Sequence, residues 1–409
     1  MRDIFRSRPV LTEQTHRATP FEIFFDLVFI FALTRIIAFM GQPPTFSMMV
    51  RGLLLLVLLW FSWAAYTWLG NQARADVGLV RSGTLLAMAA TFVAALVIPD
   101  AWRTGEGVTD APLTLVLAYI VLRGVQLSLF YYSAVEDRAL RARLRLFAIP
   151  ITLAWIPLVL GALLGGDTQT LLWAVAFLVD IGGQRAAYTV GGGWRLRSPS
   201  HFAERHGLVL IIALGESLIS VGTGAGTAVT RGPVLVAALL GLTTTVCLWW
   251  LYFEHLGPVV ARALSRASGD RRDRIASDSY GLAYLLLIAG IIYLALGVEQ
   301  VVAHVAHDQP RHFAGEPLSW TSTIALYGGA VLYLAGRPLI LWFAVRSAPP
   351  PTQLAAVGVA LLLLPVGRVL PALAALGLIT ALLVTLVCYE RLAHGARTEA
   401  TGGTEAGTP

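Results

Sequence analysis

The sequence predicts an all-α, polytopic membrane protein of about twelve transmembrane helices with both termini cytoplasmic. Three observations carry that prediction. Of 409 residues, 56% are hydrophobic and only 13% are charged, about half the charged share of a soluble domain. Apolar runs long enough to cross a bilayer recur along nearly the whole chain. The basic residues, all of them arginine, concentrate in alternate connecting segments, which is the distribution of the positive-inside rule.

The elements follow in order. Residues 1–20 are polar and read as a cytoplasmic segment. No cleavable signal peptide is expected, because the first apolar run is long and leads straight into further spans. A first membrane half, 21–190, holds runs at 21–40, 48–69, 78–98, 112–133, 146–164 and 170–190. A second half, 191–390, holds runs at 205–225, 233–255, 279–299, 319–345, 353–368 and 370–389. Pro365 interrupts the eleventh run, so ten or eleven spans are the alternative. Residues 391–409, rich in Gly, Thr, Glu and Ala, are expected to form a disordered cytoplasmic tail.

Charge and composition exclude several functions. A pI near 9.6 resembles a nucleic-acid footprint, but the arginine clusters at 138–145, 195–197 and 271–274 all fall on one side of the membrane. Their expected partner is the anionic headgroups of the cytoplasmic leaflet, and no nucleic acid. The connecting segments are too short to fold as a catalytic domain. Cys247 and Cys388 lie inside apolar runs with no metal or redox spacing, so they read as small buried hydrophobes. No cofactor is implied.

The two halves begin alike. "DLVFIFALTRII" (26–37) aligns with "GLVLIIALGESLI" (207–219), and six spans separate the two. That spacing fits parallel repeats, a known transporter arrangement.

Ionisable residues inside the runs carry the functional argument, since each costs about 2.5–3.5 kcal/mol near a bilayer centre unless paired or wet. Glu22, Glu204 and Arg205 fall at cytoplasmic ends, where snorkelling keeps them cheap. Asp26 is one turn deeper, and Arg123, Asp180 and Glu216 are deeper still. Glu22 and Asp26 share a helix face, so a cation between them or a proton on one is expected. Asp180 and Gln184 form a second such pair, and Arg205 and Glu216 lie on one stripe. Paired helix-packing charges are the alternative reading.

Catalytic signatures are absent. No Walker A loop occurs. "GES" (215–217) lacks the frame of a nucleophile elbow, so Ser217 reads as a packing or pore hydroxyl. "HFAERH" (201–206) matches no zinc-protease pattern, and no metal site is assigned to His201, Glu204 and His206. His304, His307, Asp308 and His312 fall in an outer loop.

Two stretches together are distinctive: "TPFEIFFDLVFIFALT" near the N-terminus and "HFAERHGLVLIIALGESLISVG" in mid-chain, with "LLWAVAFLVDIGG" (171–183) before the second and "WWLYFEH" (249–255) after it. This combination resembles the bacterial low temperature requirement protein A (LtrA) family over residues 10 to 390. The resemblance falls on Glu22, Phe24, Phe25, Asp26, Asp180, His201, Glu204, Arg205, Gly215, Glu216 and Ser217. Phe24, Phe25 and Gly215 are taken as motif packing residues. The family name records a cold-growth phenotype and implies a stress-response setting without supplying a reaction. Locally, "FFDLVFIFALT" (24–34) is also similar to the first pore helix of lysosomal-type two-repeat potassium channels. Phe25 replaces a serine of that motif and the second half has no F-x-D, so a symmetric pore is not implied.

The leading expectation is a channel or secondary transporter for a small cation, a proton or a small solute. Asp26, Glu22, Asp180, Glu204, Arg205, Glu216, Ser217 and His201 are its candidate pathway residues. The alternatives are an intramembrane enzyme or accessory factor acting on lipid or envelope precursors, and a structural scaffold in the cell membrane.

Overall fold

The computed structural model describes residues 9–41, 44–103, 110–135, 137–192, 194–307 and 316–405. Twelve long helices account for most of them, and no strand occurs among the described residues. They are α1 Pro20–Met40, α2 Phe46–Gln72, α3 Gly78–Val97, α4 Ala111–Ser133, α5 Arg138–Leu164, α6 Gly166–Gly191 and α7 Pro199–Ala225. Then come α8 Gly232–Arg266, α9 Gly269–His307, α10 Trp320–Val345, α11 Pro351–Val369 and α12 Ala372–Glu405. Eleven are long and apolar enough to cross a membrane on length and composition alone. The other, α6, carries Asp167, Asp180 and Arg185 within its 26 residues. The chain is a multi-pass membrane protein.

Helices α8 and α9 run well past their apolar cores. The sequence reading ended the eighth span at 255 and began the ninth at 279, but the intervening arginine-rich turns are helical too. Hydropathy cannot see them because their polar residues remove the apolar signal. Pro365 lies inside α11 without ending it. The last helix likewise continues to Glu405, into the stretch expected to be disordered. Arg391, Ala393, Ala396 and Glu399 are good helix formers, which is how an apolar helix extends beyond its membrane stretch. Cys247 is buried as expected, whereas Cys388 is exposed.

Three helices contain π-helical segments: Leu251–Leu256 in α8, Ala276–Ala283 in α9 and Ile324–Gly328 in α10. A π turn loosens the regular hydrogen-bond ladder. In α9 the carbonyl of Gly281 accepts from Trp60 Nε1 of α2 at 2.7 Å.

The chain divides into two compact units. The first comprises Met1–Ala213, Val260–Leu285 and Phe343–Arg346; the second comprises Leu214–Val259, Leu286–Trp342 and Ser347–Pro409. The boundaries run through α7, α8, α9 and α10, so neither unit is a single continuous stretch of chain. Within the first, α5 packs along α6, α3 along α4, and α1 against α2 and α3. Within the second, α12 lies along α8 and α11. Gly290, Gly297 and Gly329 bring α9 and α10 so close that a Cβ at any of them would strike the opposing backbone. Small residues at such crossings are how apolar helices associate without a hydrophobic driving force.

Candidate functional site

The site grows from the start of α1. Thr19 caps the helix and Pro20 occupies its first turn, where a missing N–H costs nothing. Glu22 completes a capping box: its backbone N–H reaches Thr19 Oγ1 at 3.3 Å, and its Oε2 accepts from the Thr19 N–H at 3.0 Å. One carboxylate oxygen is thus committed to local structure. The other, Oε1, faces into the protein.

There it meets α7. His201 Nε2 lies 2.9 Å from Glu22 Oε1, and Arg205 Nη1 donates to the same oxygen at 3.0 Å. One turn along α1, Asp26 receives the other side of the guanidinium: Arg205 Nε donates to Oδ2 at 3.1 Å and Nη2 to Oδ1 at 2.5 Å. Trp63 Nε1 of α2 adds a third bond to Oδ1 at 2.7 Å. The cation that the spacing of Glu22 and Asp26 requires is therefore Arg205. All four ionisable side chains are 2% exposed or less. Arg205 does not snorkel outward as the sequence reading had it, because a forked partner one turn inward satisfies its rigid donors better than an exposed end does.

Neighbouring groups fix the cluster. Asn71 Oδ1 accepts from the N–H groups of Arg197 and Ser198, at 2.8 and 3.3 Å, while its Nδ2 donates to Ser198 O at 2.7 Å. The amide is thereby oriented, and Nδ2 also faces His201 Nδ1 at 3.4 Å. His201 thus has Asn71 on its Nδ1 side and Glu22 on its Nε2 side. Gly70 leaves the room: a Cβ at that position would lie 2.6 Å from Glu22 Oε1. Below, His206 is enclosed by Trp63, Phe202, Tyr280 and Tyr284 and contacts Phe202 O through Nδ1 at 2.8 Å.

The polar segment before α1 seals one end. Thr12 and Arg74 exchange backbone hydrogen bonds with Gln72 and Val10, and Glu204 Oε2 accepts from the Ala18 N–H at 3.1 Å. His16 packs its ring 5.3 Å from that of His201. Burial, and next the neighbouring His201, hold the His16 pKa below its ordinary value. Among the described residues, His16, Glu22 and His201 are the trio whose ligand atoms come within 4.8 Å of one another. Glu22 Oε1 already accepts two hydrogen bonds, which a metal at this point would have to displace.

The remaining candidates lie elsewhere. Asp180 belongs to a separate group: Gln184 Nε2 donates to it at 2.6 Å, as their spacing predicts, Tyr119 OH lies at 3.5 Å, and Arg123 Nη2 is 3.9 Å away. Glu216 and Ser217 are in the second unit. Ser217 Oγ bonds Leu214 O at 2.6 Å and Thr245 Oγ1 at 3.0 Å, a packing arrangement. Glu216 is buried within electrostatic reach of Glu299. Of the three expected packing residues, Phe25 is buried against Tyr66. Phe24 is 53% exposed, and a Cβ on Gly215 would meet nothing. Those two face outward, which is the lipid side of an apolar helix. Asp308 and His312 lie outside the described residues. Sequence reasoning missed Trp63, Gly70 and Asn71; the small and polar pair Gly70 and Asn71 in the last turn of α2 is a signal for two of them, and Trp63 has none.

A profile of the bacterial low temperature requirement A protein (LtrA) matches residues 17–388, from the segment before the α1 cap to the last apolar turns. The uncharacterized protein RA0937 of Rhizobium meliloti (strain 1021) is 28% identical over 339 residues, covering 80% of this chain and 77% of the other. No solved structure matches. The chain belongs to the bacterial low temperature requirement A (LtrA) family.

Proposed function

We propose that the protein is a secondary transporter or channel of the cell membrane that moves a proton or small cation through the α1–α7 cluster. It acts as a transport protein, not an enzyme, with its arginine-rich face toward the anionic headgroups of the cytoplasmic leaflet. One observation supports this reading. Two buried carboxylates, Glu22 and Asp26, face a single guanidinium, with the His201 ring against Glu22. With both carboxylates ionised and the His201 ring unprotonated, the cluster is one positive charge short. A buried uncompensated charge is expensive, so the cluster gains by taking up a proton or a cation. Taking it up and giving it away on opposite sides is transport.

The residues divide the work. Arg205 keeps two like charges together, which creates the affinity. Trp63 and Asn71 hold the acceptors in place. His16, His201 and Glu22 line the end where the polar segment packs, and they are the first groups an entering cation meets.

The test uses purified protein in liposomes loaded with a pH dye and a potential-sensitive dye, with proton, Na⁺ and K⁺ gradients imposed in turn. A flux is expected under one gradient that Glu22→Gln and Asp26→Asn each reduce at least about tenfold while the tryptophan spectrum stays native. Flux no greater than that of empty liposomes under every gradient overturns the reading.

A further inference from the structure

The first unit holds a second constellation that the cation reading does not use. Among α2, α4, α5, α6 and α9 lies a cavity of 380 Å³ whose walls are mainly apolar, with Arg185 of α6 also on its lining. Trp194 forms one side, with its ring 4.9 Å from Phe130 and 4.7 Å from Phe147, and Trp68 lies on the α2 wall. Arg123 and Gln126 line the same cavity from one face of α4, three residues apart.

These two side chains are incompletely partnered. Arg123 is 1% exposed, and its Nε and Nη1 have no hydrogen-bond partner among the described residues. Gln126 is 5% exposed, and its Oε1 is likewise unpartnered. Buried polar atoms of native proteins nearly always have partners. Two donors and one acceptor left over on successive turns of a cavity wall point to a group that supplies the complement. Asp180 does not supply it. At 3.9 Å from Arg123 Nη2 it is too far for a hydrogen bond, and the donors facing its oxygens are Gln184 and Tyr119.

Charge then narrows the class. Asp180 is close enough to balance the Arg123 guanidinium, and Asp278 takes the Arg185 guanidinium at 2.6 Å, so an occupant that brought a net charge would be uncompensated. The leftover donors ask for an acceptor, and the Gln126 oxygen asks for a donor. The aromatic walls and a volume at the low end of small-molecule sites ask for a compact ring. We infer that this cavity binds a small, uncharged aromatic molecule whose polar end both accepts and donates hydrogen bonds, as a carboxamide does, with Arg123 donating to it and Gln126 accepting from it. The site stands apart from the Glu22–Asp26 cluster, and its occupancy does not depend on ion movement.

The experiment takes the full chain in phosphatidylcholine nanodiscs and titrates 2-naphthamide, following tryptophan fluorescence and thermal unfolding. Naphthalene and ionised 2-naphthoate serve as the apolar and charged counterparts, and empty nanodiscs correct for partitioning. Saturable binding of the amide that raises the unfolding temperature is expected, with both counterparts at least about tenfold weaker. Gln126→Met is expected to weaken the amide by up to about tenfold without weakening naphthalene. Ala65→Phe, which fills the cavity and leaves both polar residues in place, is expected to abolish binding. Three outcomes overturn the inference: no saturable binding above empty nanodiscs, as for a cavity holding only water; naphthoate binding more tightly than the amide; or amide binding unaffected by both substitutions. Arg123 variants are left out because they strand Asp180 and risk the fold.

Discussion

Arg205 and Arg337 are both arginines enclosed by apolar helices, 2% and 1% exposed, yet they keep different company. Arg337 of α10 has one carboxylate, Glu390 of α12, reached by Nη2 at 3.0 and 2.7 Å. His255 Nδ1 lies 3.9 Å from the same carboxylate. One cation faces one anion, and α10 is tied to α12. Arg205 faces two carboxylates from a single face of α1, with His201 against one of them. The first arrangement is balanced and has nothing to exchange. With the His201 ring unprotonated the second is short of a charge, and that is what separates a packing ion pair from a site with a use for a proton or cation. Both arginines are buried, but Arg205 donates through Nε, Nη1 and Nη2. Arg337 leaves Nε and Nη1 without a partner among the described residues, so the charge count and the hydrogen bonding both separate the two places.

The comparison breaks most visibly at the arginine. Arg205→Met leaves Glu22 and Asp26 facing each other without a counter-charge and strands the Trp63 and His201 donors around them. Removing one partner from a buried ion pair costs about 3–5 kcal/mol, and here two anions lose theirs. Urea unfolding in mild detergent, followed by tryptophan fluorescence, is expected to show a loss at or above that range. A loss under about 1 kcal/mol would mean that the carboxylates are neutral without Arg205, and the charge count would fail.

A sharper test removes one carboxylate from each place. Glu390→Gln leaves Arg337 buried with no anion, and about 3–5 kcal/mol of stability is expected to go. Asp26→Asn still leaves Glu22 opposite Arg205, a balanced pair, so only hydrogen bonds to a charged group are lost, about 1.5–3 kcal/mol. The same unfolding assay on both variants gives the contrast directly. If Asp26→Asn costs as much as Glu390→Gln, something already neutralises the α1–α7 cluster.

What the sequence could and could not say divides along the same line. Helices α1 to α12 were legible because an apolar helix announces itself over twenty residues, and the Asp180–Gln184 bond because its partners are four residues apart. The demand for a cation beside Glu22 and Asp26 was legible for the same local reason. Its identity was not. Arg205 is 179 residues from Asp26, and no periodicity within a helix encodes which neighbour packs against it. Depth misled as well: Arg205 near a helix end looked free to snorkel, and only the placement of Trp63 and Asp26 shows why it turns inward. Glu390 was passed over because it sits where an apolar run fades, although it is the partner that Arg337 requires. Asp180 looked like a second pathway carboxylate, but its partners Arg123 and Tyr119 come from α4. The π segments of α8, α9 and α10 leave no mark in hydropathy at all.

The smallest expected effect lies at the rim of the cluster and sharpens the comparison through pH. His16 is held below its ordinary pKa by burial and by His201, so the folded protein prefers its neutral ring more strongly than the unfolded chain does. A depressed histidine pKa contributes stability that is fully present above the unfolded value of about 6.5 and is lost as pH falls from there through the folded value. The native chain is therefore expected to lose stability on acidification slightly faster than His16→Gln, with the two curves parallel above about pH 7. Unfolding midpoints at half-unit pH steps from 8 down to 5 read this out. The reverse order, with the variant more acid-sensitive, would mean that the protonated ring is the favoured one. His16⁺ would then be supplying the missing charge to Glu22, and the cluster would be balanced from its own rim in acid with no need of an ion from outside.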